Sequence, residues 1–61
     1  MEGLYEHPDG MGAIQFDIEN RRLFMFTPAE GLSAYAVIGP TGLRVLACTL
    51  LAMADEVEAK Q

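Results

Sequence analysis

The chain has 61 residues, a formal net charge of −5 and one cysteine. A chain of this length forms a single domain, residues 1–61, and buries only about 60% of the surface that its unfolded chain exposes, so disulfides, metals or oligomerisation usually add stability. One cysteine excludes an intramolecular disulfide, and four basic residues against nine acidic ones argue against direct binding to nucleic acid. Self-association or binding to another protein is therefore expected.

The N-terminal two thirds of the sequence predict a meander of short strands. A first strand is predicted at residues 4–7, closed by the turn-forming sequence Pro8-Asp9-Gly10. The clearest strand is predicted at residues 12–18, because apolar and polar side chains alternate there with the two-residue period of a half-buried strand.

Two further strands complete the predicted sheet. Residues 22–27 are apolar on both alternating faces, which places this strand in the middle of the sheet or under a second contact. The loop at residues 28–31 contains proline and glycine, and the β-prone residues 33–38 follow it as the last strand. Whether residues 4–7 join the sheet stays open at this point.

A single helix is predicted at residues 42–58, after Gly39 and Pro40 end the last strand. Thr41 stands where a helix N-cap is expected, since its hydroxyl can accept hydrogen bonds from the first turn. Apolar residues recur along the helix at steps of three and four, which predicts a stripe that packs on the sheet. The members of this stripe are Leu43, Leu46, Ala47, Leu50, Ala54 and Val57.

These elements predict an α+β fold, with an antiparallel meander of three to four strands followed by one C-terminal helix packed on the sheet. The side of the helix opposite the stripe is also apolar, and a helix that is apolar all round requires burial on more than one side. Small side chains there allow another backbone to approach closely. We therefore predict an oligomer interface at Val45, Cys48, Thr49, Ala52 and Met53.

The acidic side chains are the second candidate binding feature. Glu6, Asp17 and Glu19 are expected at a sheet edge, where they could engage a basic groove on a protein target. The alternative is that these carboxylates form a solvated surface that keeps the protein soluble.

The sequence contains no recognisable catalytic constellation. His7 is the only imidazole, and no candidate nucleophile has a reason to lie beside it. Glu6, His7 and Asp9 lie together at a turn but lack the complete ligand set of a metal site. No enzymatic activity, metal or cofactor is expected.

A membrane span is not expected, although residues 32–54 carry only one charge, Arg44. Gly39, Pro40 and Gly42 interrupt this stretch, and the apolar part after Arg44 is shorter than the roughly 20 residues that a bilayer requires. The first residues also have neither the basic end nor the apolar run of a secretion signal. A cytoplasmic location is therefore expected.

The run GLRVLACTLLAMADEVEAK, residues 42–60, resembles the closing helix of short proteins encoded by bacteriophages and prophages. The resemblance is one of composition and carries no site residue. It implies a phage origin, a host-cytoplasmic location and an inhibitor that blocks a host protein or defence complex, anti-CRISPR-like in its most specific form.

The expected function is therefore that of a small acidic protein-interaction module, homodimeric and without enzymatic activity. Its partners are expected to be a second copy, a protein target, or both. The alternative is a structural or assembly subunit for which the helix contact is the whole function.

Overall fold

The computed structural model describes residues 1–61 apart from the side chain of Leu32. Four strands form one sheet in the order β1-β2-β3-β4, each antiparallel to its neighbour, and one helix follows them. This arrangement confirms the predicted α+β class and the meander. The elements are β1 (Glu2–Glu6), β2 (Ala13–Asp17), β3 (Arg22–Thr27), β4 (Leu32–Val37) and α1 (Pro40–Ala59).

The observed bounds lie close to the predicted ones. Strand β3 has the predicted bounds, and it lies inside the sheet, as its two apolar faces indicated. Strand β1 begins two residues before the predicted start and pairs with β2, so the N-terminal segment is an edge strand. A bulge between Gly3 and Tyr5 shifts the register of β1, an irregularity that is typical of protected sheet edges.

Tight turns with glycine in the left-handed region join the outer strand pairs. Between β1 and β2, Gly10 has φ of 78° and its N–H donates to the carbonyl oxygen of His7 at 3.0 Å. Between β3 and β4, Gly31 has φ of 71° and its N–H donates to the carbonyl oxygen of Thr27 at 2.9 Å. Glycine accepts this conformation without the steric penalty of a Cβ atom, so each turn reverses the chain within a few residues.

The strand registers sort the side chains onto two different faces of the sheet, because residues directly opposite each other on paired strands share a face. We define the apolar face by the side chains of Tyr5, Ile14, Phe16, Leu23, Met25, Ala34 and Ala36, with Glu2 and Thr27 at its margins. The other face, called the mixed face, carries Glu6, Ala13, Gln15, Asp17, Arg22, Phe24, Phe26, Ser33, Tyr35 and Val37.

The sheet is a single layer with very little enclosed interior. Among the residues whose side chains are described, only Ala13 and Leu23 are buried, at 7% and 8% exposure. Ile14 and Phe16 are half-buried on the apolar face, and Met25 beside them is 54% exposed. The strands therefore satisfy one another's backbone hydrogen bonds, but no second layer of secondary structure covers their described side chains.

The start of α1 differs from the sequence prediction. Gly39 is the N-cap and Pro40 takes the first helical position, so Thr41 lies inside the helix and makes no capping hydrogen bond. The first helical bond runs from the N–H of Leu43 to the carbonyl oxygen of Gly39, at 2.9 Å. Proline has no N–H to satisfy, and its fixed φ suits the first turn. This explains why the helix begins at Pro40, two residues before the predicted start.

The helix does not lie on the sheet, and this corrects the expected packing. Among the described residues, no Cα atom of α1 comes within 8 Å of a strand Cα atom, and no residue of α1 is buried. Gly39 is extended, with φ of −89° and ψ of −178°, so the strand direction continues into Pro40 and the helix leads away from the sheet. The stripe expected to face the sheet is open to solvent beyond Leu46, with Leu50 53% and Val57 57% exposed.

Candidate functional site

The predicted oligomer interface forms one continuous exposed surface on α1. Its five residues stand at positions i, i+3, i+4, i+7 and i+8 of the helix, which is the spacing of a single helical face. All five are exposed, and the structure therefore leaves this surface open to a partner. We call it the interface face: Val45, Cys48, Thr49, Ala52 and Met53.

The polar atoms of the interface face are few and largely satisfied within the helix. The hydroxyl of Thr49 donates to the carbonyl oxygen of Val45 at 3.0 Å, a back-bond of the i to i−4 type. The hydroxyl proton of Thr49 therefore keeps its hydrogen bond when the face enters a dry contact. Cys48 is an exposed free thiol, which adds a small apolar contact at the centre of the face.

The other sides of α1 are also uncovered. Leu51 is 70% exposed on a side that neither the predicted stripe nor the interface face includes.

Near the C-terminal end, Lys60 Nζ lies 3.4 Å from Glu56 Oε1, and both side chains are exposed. An exposed pair at this spacing stabilises a helix by about 0.3–0.5 kcal/mol. Local interactions therefore add little to the stability of this helix.

The structure separates the three predicted acidic residues into two groups. Asp17 and Glu19 lie at the turn between β2 and β3, whereas Glu6 pairs with Ala13 at the opposite end of β2. Glu2 lies with Asp17 and Glu19 around a shallow depression at the sheet margin. Sequence reasoning missed Glu2 because the first strand was predicted to start after it.

The carboxylate of Asp17 organises the turn that follows β2. Its Oδ2 accepts the side-chain amide of Asn20 at 2.8 Å, and its Oδ1 accepts the backbone N–H groups of Glu19 at 3.1 Å and Asn20 at 3.3 Å. These bonds, the Asn20 side-chain bond above all, hold the pKa of Asp17 below its ordinary value, against a smaller opposing effect of desolvation. Asp17 therefore has a structural role in the turn.

An aromatic cluster covers part of the mixed face. The rings of Phe24 and Tyr35 lie opposite each other on β3 and β4, with centroids 5.2 Å apart. The guanidinium of Arg22 lies 5.0 Å from the centroid of the Tyr35 ring, within the range of a cation–π interaction. Sequence reasoning did not pair these residues, because the pairing depends on the register of two strands.

His7 belongs to the turn between β1 and β2. Its Nδ1 lies 2.5 Å from Asp9 Oδ1, which also accepts the backbone N–H of Met11 at 2.8 Å. These contacts join neighbouring residues of one exposed turn. In the described part of the chain, no group of three or more His, Cys, Asp or Glu residues is arranged to hold a metal ion.

The apolar face of the sheet contains an open concavity at the end of the sheet that is far from α1. Its lining includes Tyr5, Ile14, Met25, Thr27 and Ala34 from four neighbouring strands. Tyr5 and Met25 remain more than half exposed there, at 53% and 54%. The concavity is a second apolar surface without a covering layer.

Comparison with known proteins gave no relative. No protein-family model, no curated protein and no solved structure matches this chain. Among the described residues, there is also no helix with the length and apolar character needed to span a membrane.

Proposed function

We propose that this chain is a small, acidic, non-enzymatic protein-interaction module that forms a homodimer. The interface face of α1 is the contact between the two copies. One observation carries the proposal: the central turns of the helix are apolar on nearly every side, and none of their residues is buried in the single chain. Exposed apolar surface of this kind marks protein interaction sites.

The chemistry of the interface face suits contact between two identical helices. Cys48 and Ala52 are small, so two backbones can approach closely and gain dispersion contacts along their length. Val45 and Met53 add exposed apolar area, at 61% and 53% exposure, on either side of these small residues. A twofold axis through this surface would bring each small residue against the other helix.

The second half of the proposal is a protein target bound by charge, in the cytoplasm. A net charge of −5 favours a basic surface on the target, and Asp17, Glu19 and Glu6 are its proposed contacts. Since Glu6 is remote from the other two, the target must extend along the sheet edge to meet all three.

The most specific form of this proposal is a phage-encoded inhibitor that blocks a host protein or a defence complex, as anti-CRISPR proteins do. The resemblance of residues 42–60 to the closing helices of small phage proteins supports this form. The small size and acidic charge fit a protein that acts by occupying another protein's surface.

Sedimentation equilibrium of Cys48→Arg tests the homodimer. We expect the wild type to be dimeric at micromolar concentration, and an unpaired arginine in the interface to weaken association by about 3 kcal/mol, which is more than a hundredfold. The matched control is Glu58→Gln, which changes the net charge by the same amount but lies outside the interface face. A wild type that stays monomeric at this concentration contradicts the proposal.

Affinity capture of the target from a bacterial lysate, at a low and at a high salt concentration, tests the charged contact. A target bound through carboxylates should dissociate as ionic strength rises, because exposed charges are then screened. Glu19→Gln should reduce the captured amount at low salt, and Glu58→Gln on the helix provides the control. Capture that ignores both salt and Glu19→Gln would mean that the carboxylates do not form the contact.

The alternative function is a structural or assembly subunit without a separate target. The exposure of Leu51, outside the interface face, favours this reading because it leaves apolar surface for further copies. Defined particles larger than a dimer in the same sedimentation experiment would support it.

A further inference from the structure

The single chain exposes far more surface than a folded monomer of its mass. Its accessible area is 4979 Å² at 6.7 kDa, whereas monomeric proteins of this mass expose roughly 3,900 Å². The difference is about 1,000 Å² per chain, so two chains that covered it would bury about 2,000 Å² together. Obligate homodimers bury about this much area, and the excess therefore supports a second copy of the chain as the occupant.

Two uncovered surfaces of the same chain complement each other. The helix carries a stripe that includes Leu46, Leu50 and Val57 at the spacing suited to packing on a sheet. The apolar face of the sheet offers Ile14, Met25 and neighbouring side chains around an open concavity. The small residues of β4 on this face, Ala34 and Ala36, leave room for a helix to approach the strands closely.

The helix cannot cover its own sheet in the observed arrangement. The backbone is extended through Gly39, and the side chain of Ile38 lies against the first turn, where a Cβ atom on Gly42 would be only 2.8 Å from Ile38 Cγ1. This contact and the fixed φ of Pro40 set the direction in which α1 leaves the sheet. The two complementary surfaces of one chain therefore face different parts of space.

We propose that two copies exchange helices, so that the leucine stripe of each α1 packs on the apolar face of the other copy's sheet. This inference rests on the homodimer proposed above and adds the sheet to its interface. The interface faces of the two helices meet at the twofold axis, which buries a second side of each helix. The exchange explains why α1 is apolar on more than one side.

The mixed face of the sheet stays in solvent in this dimer. It carries the polar residues Gln15, Asp17 and Arg22. The carboxylate oxygens of Asp17 already accept hydrogen bonds within the turn. Arg22 lies over Tyr35, which pairs with Phe24, so the aromatic groups of this face contact one another. The apolar face leaves Tyr5 and Met25 more than half exposed around the concavity, and a partner helix that covers these side chains gains hydrophobic stabilisation.

A matched pair of lysine variants tests which face is covered. Met25→Lys places a charge on the apolar face, and we expect it to raise the dimer dissociation constant by about tenfold or more. Gln15→Lys places the same charge on the mixed face of the neighbouring strand, and we expect a change of about twofold or less. Equal effects of the two substitutions, or no effect of Met25→Lys, overturn the exchange.

Isotope-filtered NOE spectra of a mixed-label wild-type dimer test the contact directly. We expect NOEs between chains from the methyl groups of Ile14 and Met25 to those of Leu46 and Leu50. Spectra whose NOEs between chains join only the two interface faces overturn the exchange but leave the proposed homodimer standing. A wild type that is monomeric by sedimentation at micromolar concentration overturns both, so the two failures are distinguishable.

Discussion

At the residue scale, Asp17 shows how one carboxylate defines a hairpin. It accepts three hydrogen bonds from the two residues Glu19 and Asn20, and these bonds hold the turn ahead of Arg21, which has a positive φ of 56°. A non-glycine residue in this region is strained, so the turn depends on bonds that offset the strain. Asp17 supplies these bonds in its ionised form.

The pKa of Asp17 is the measurable consequence of this network. Because its folded-state pKa lies below the ordinary 3.8, ionised Asp17 stabilises the fold above that pH. This stabilisation is lost as the pH falls from about 3.8 through the lowered pKa. We expect Asn20→Ala to raise the pKa of Asp17 toward 3.8, since it removes the largest cause of the shift.

Carboxyl ¹³C chemical shifts followed against pH measure this change. The control is Glu19→Gln, which keeps the backbone N–H that Asp17 accepts, and no rise is expected there. If Asp17 titrates at the same pH in the wild type and in Asn20→Ala, the side-chain bond is not what lowers its pKa.

At the element scale, the junction between β4 and α1 decides where the helix goes. The N–H of Ile38 donates to the carbonyl oxygen of Arg21 at 2.8 Å, so the ladder continues one residue beyond β4. Gly39 is then extended and Pro40 begins the helix at once. The close approach of Ile38 to Gly42 requires a residue without a Cβ atom at position 42.

We expect Gly42→Ala to destabilise the protein by about 1 kcal/mol. Alanine favours a helix by about 1 kcal/mol over glycine, but a clash with a stiff β-branched side chain costs about 1–3 kcal/mol. In an Ile38→Ala background the clash is absent, and the same substitution should stabilise by up to about 1 kcal/mol. Urea unfolding of the four proteins at one fixed concentration gives both numbers, and an equal effect of Gly42→Ala in both backgrounds contradicts the proposed contact.

At the scale of the whole molecule, the proposed homodimer links folding to association. The sheet buries only two residues and the helix none among the described side chains, so a single chain has little hydrophobic stabilisation of its own. A helix of 20 residues without tertiary contacts is marginal in water. In the proposed homodimer, the surfaces that a second copy covers supply further hydrophobic stabilisation.

This linkage predicts that stability and helix content rise with protein concentration. For a folded dimer in equilibrium with unfolded chains, each tenfold rise in concentration adds about 1.4 kcal/mol per dimer, which shifts the melting temperature of a dimer of about 120 residues by about 5 °C. Circular dichroism melts across the micromolar range measure both effects. Cys48→Arg should lower the melting temperature at every concentration, and a wild-type melting temperature that is independent of concentration excludes the linkage.

Much of the secondary structure could be predicted from local chemistry. Alternation of Ile14 and Phe16 with polar neighbours predicted β2, and the two apolar faces of β3 predicted its place inside the sheet. Proline and glycine predicted the turns and the break before α1, because their backbone preferences act over a few residues. The five residues of the interface face could also be grouped, since helical spacing alone places them on one side.

The tertiary structure alone decided which surfaces are covered. The expectation that the leucine stripe packs on its own sheet was reasonable from periodicity, but periodicity describes one helix and not the direction in which it leaves a strand. That direction depends on Gly39, Pro40 and the contact between Ile38 and Gly42. The separation of Glu6 from Asp17 likewise follows from strand register, which the sequence pattern does not contain. Local chemistry determines elements because its forces act between near neighbours, whereas coverage depends on contacts between residues that are distant along the chain.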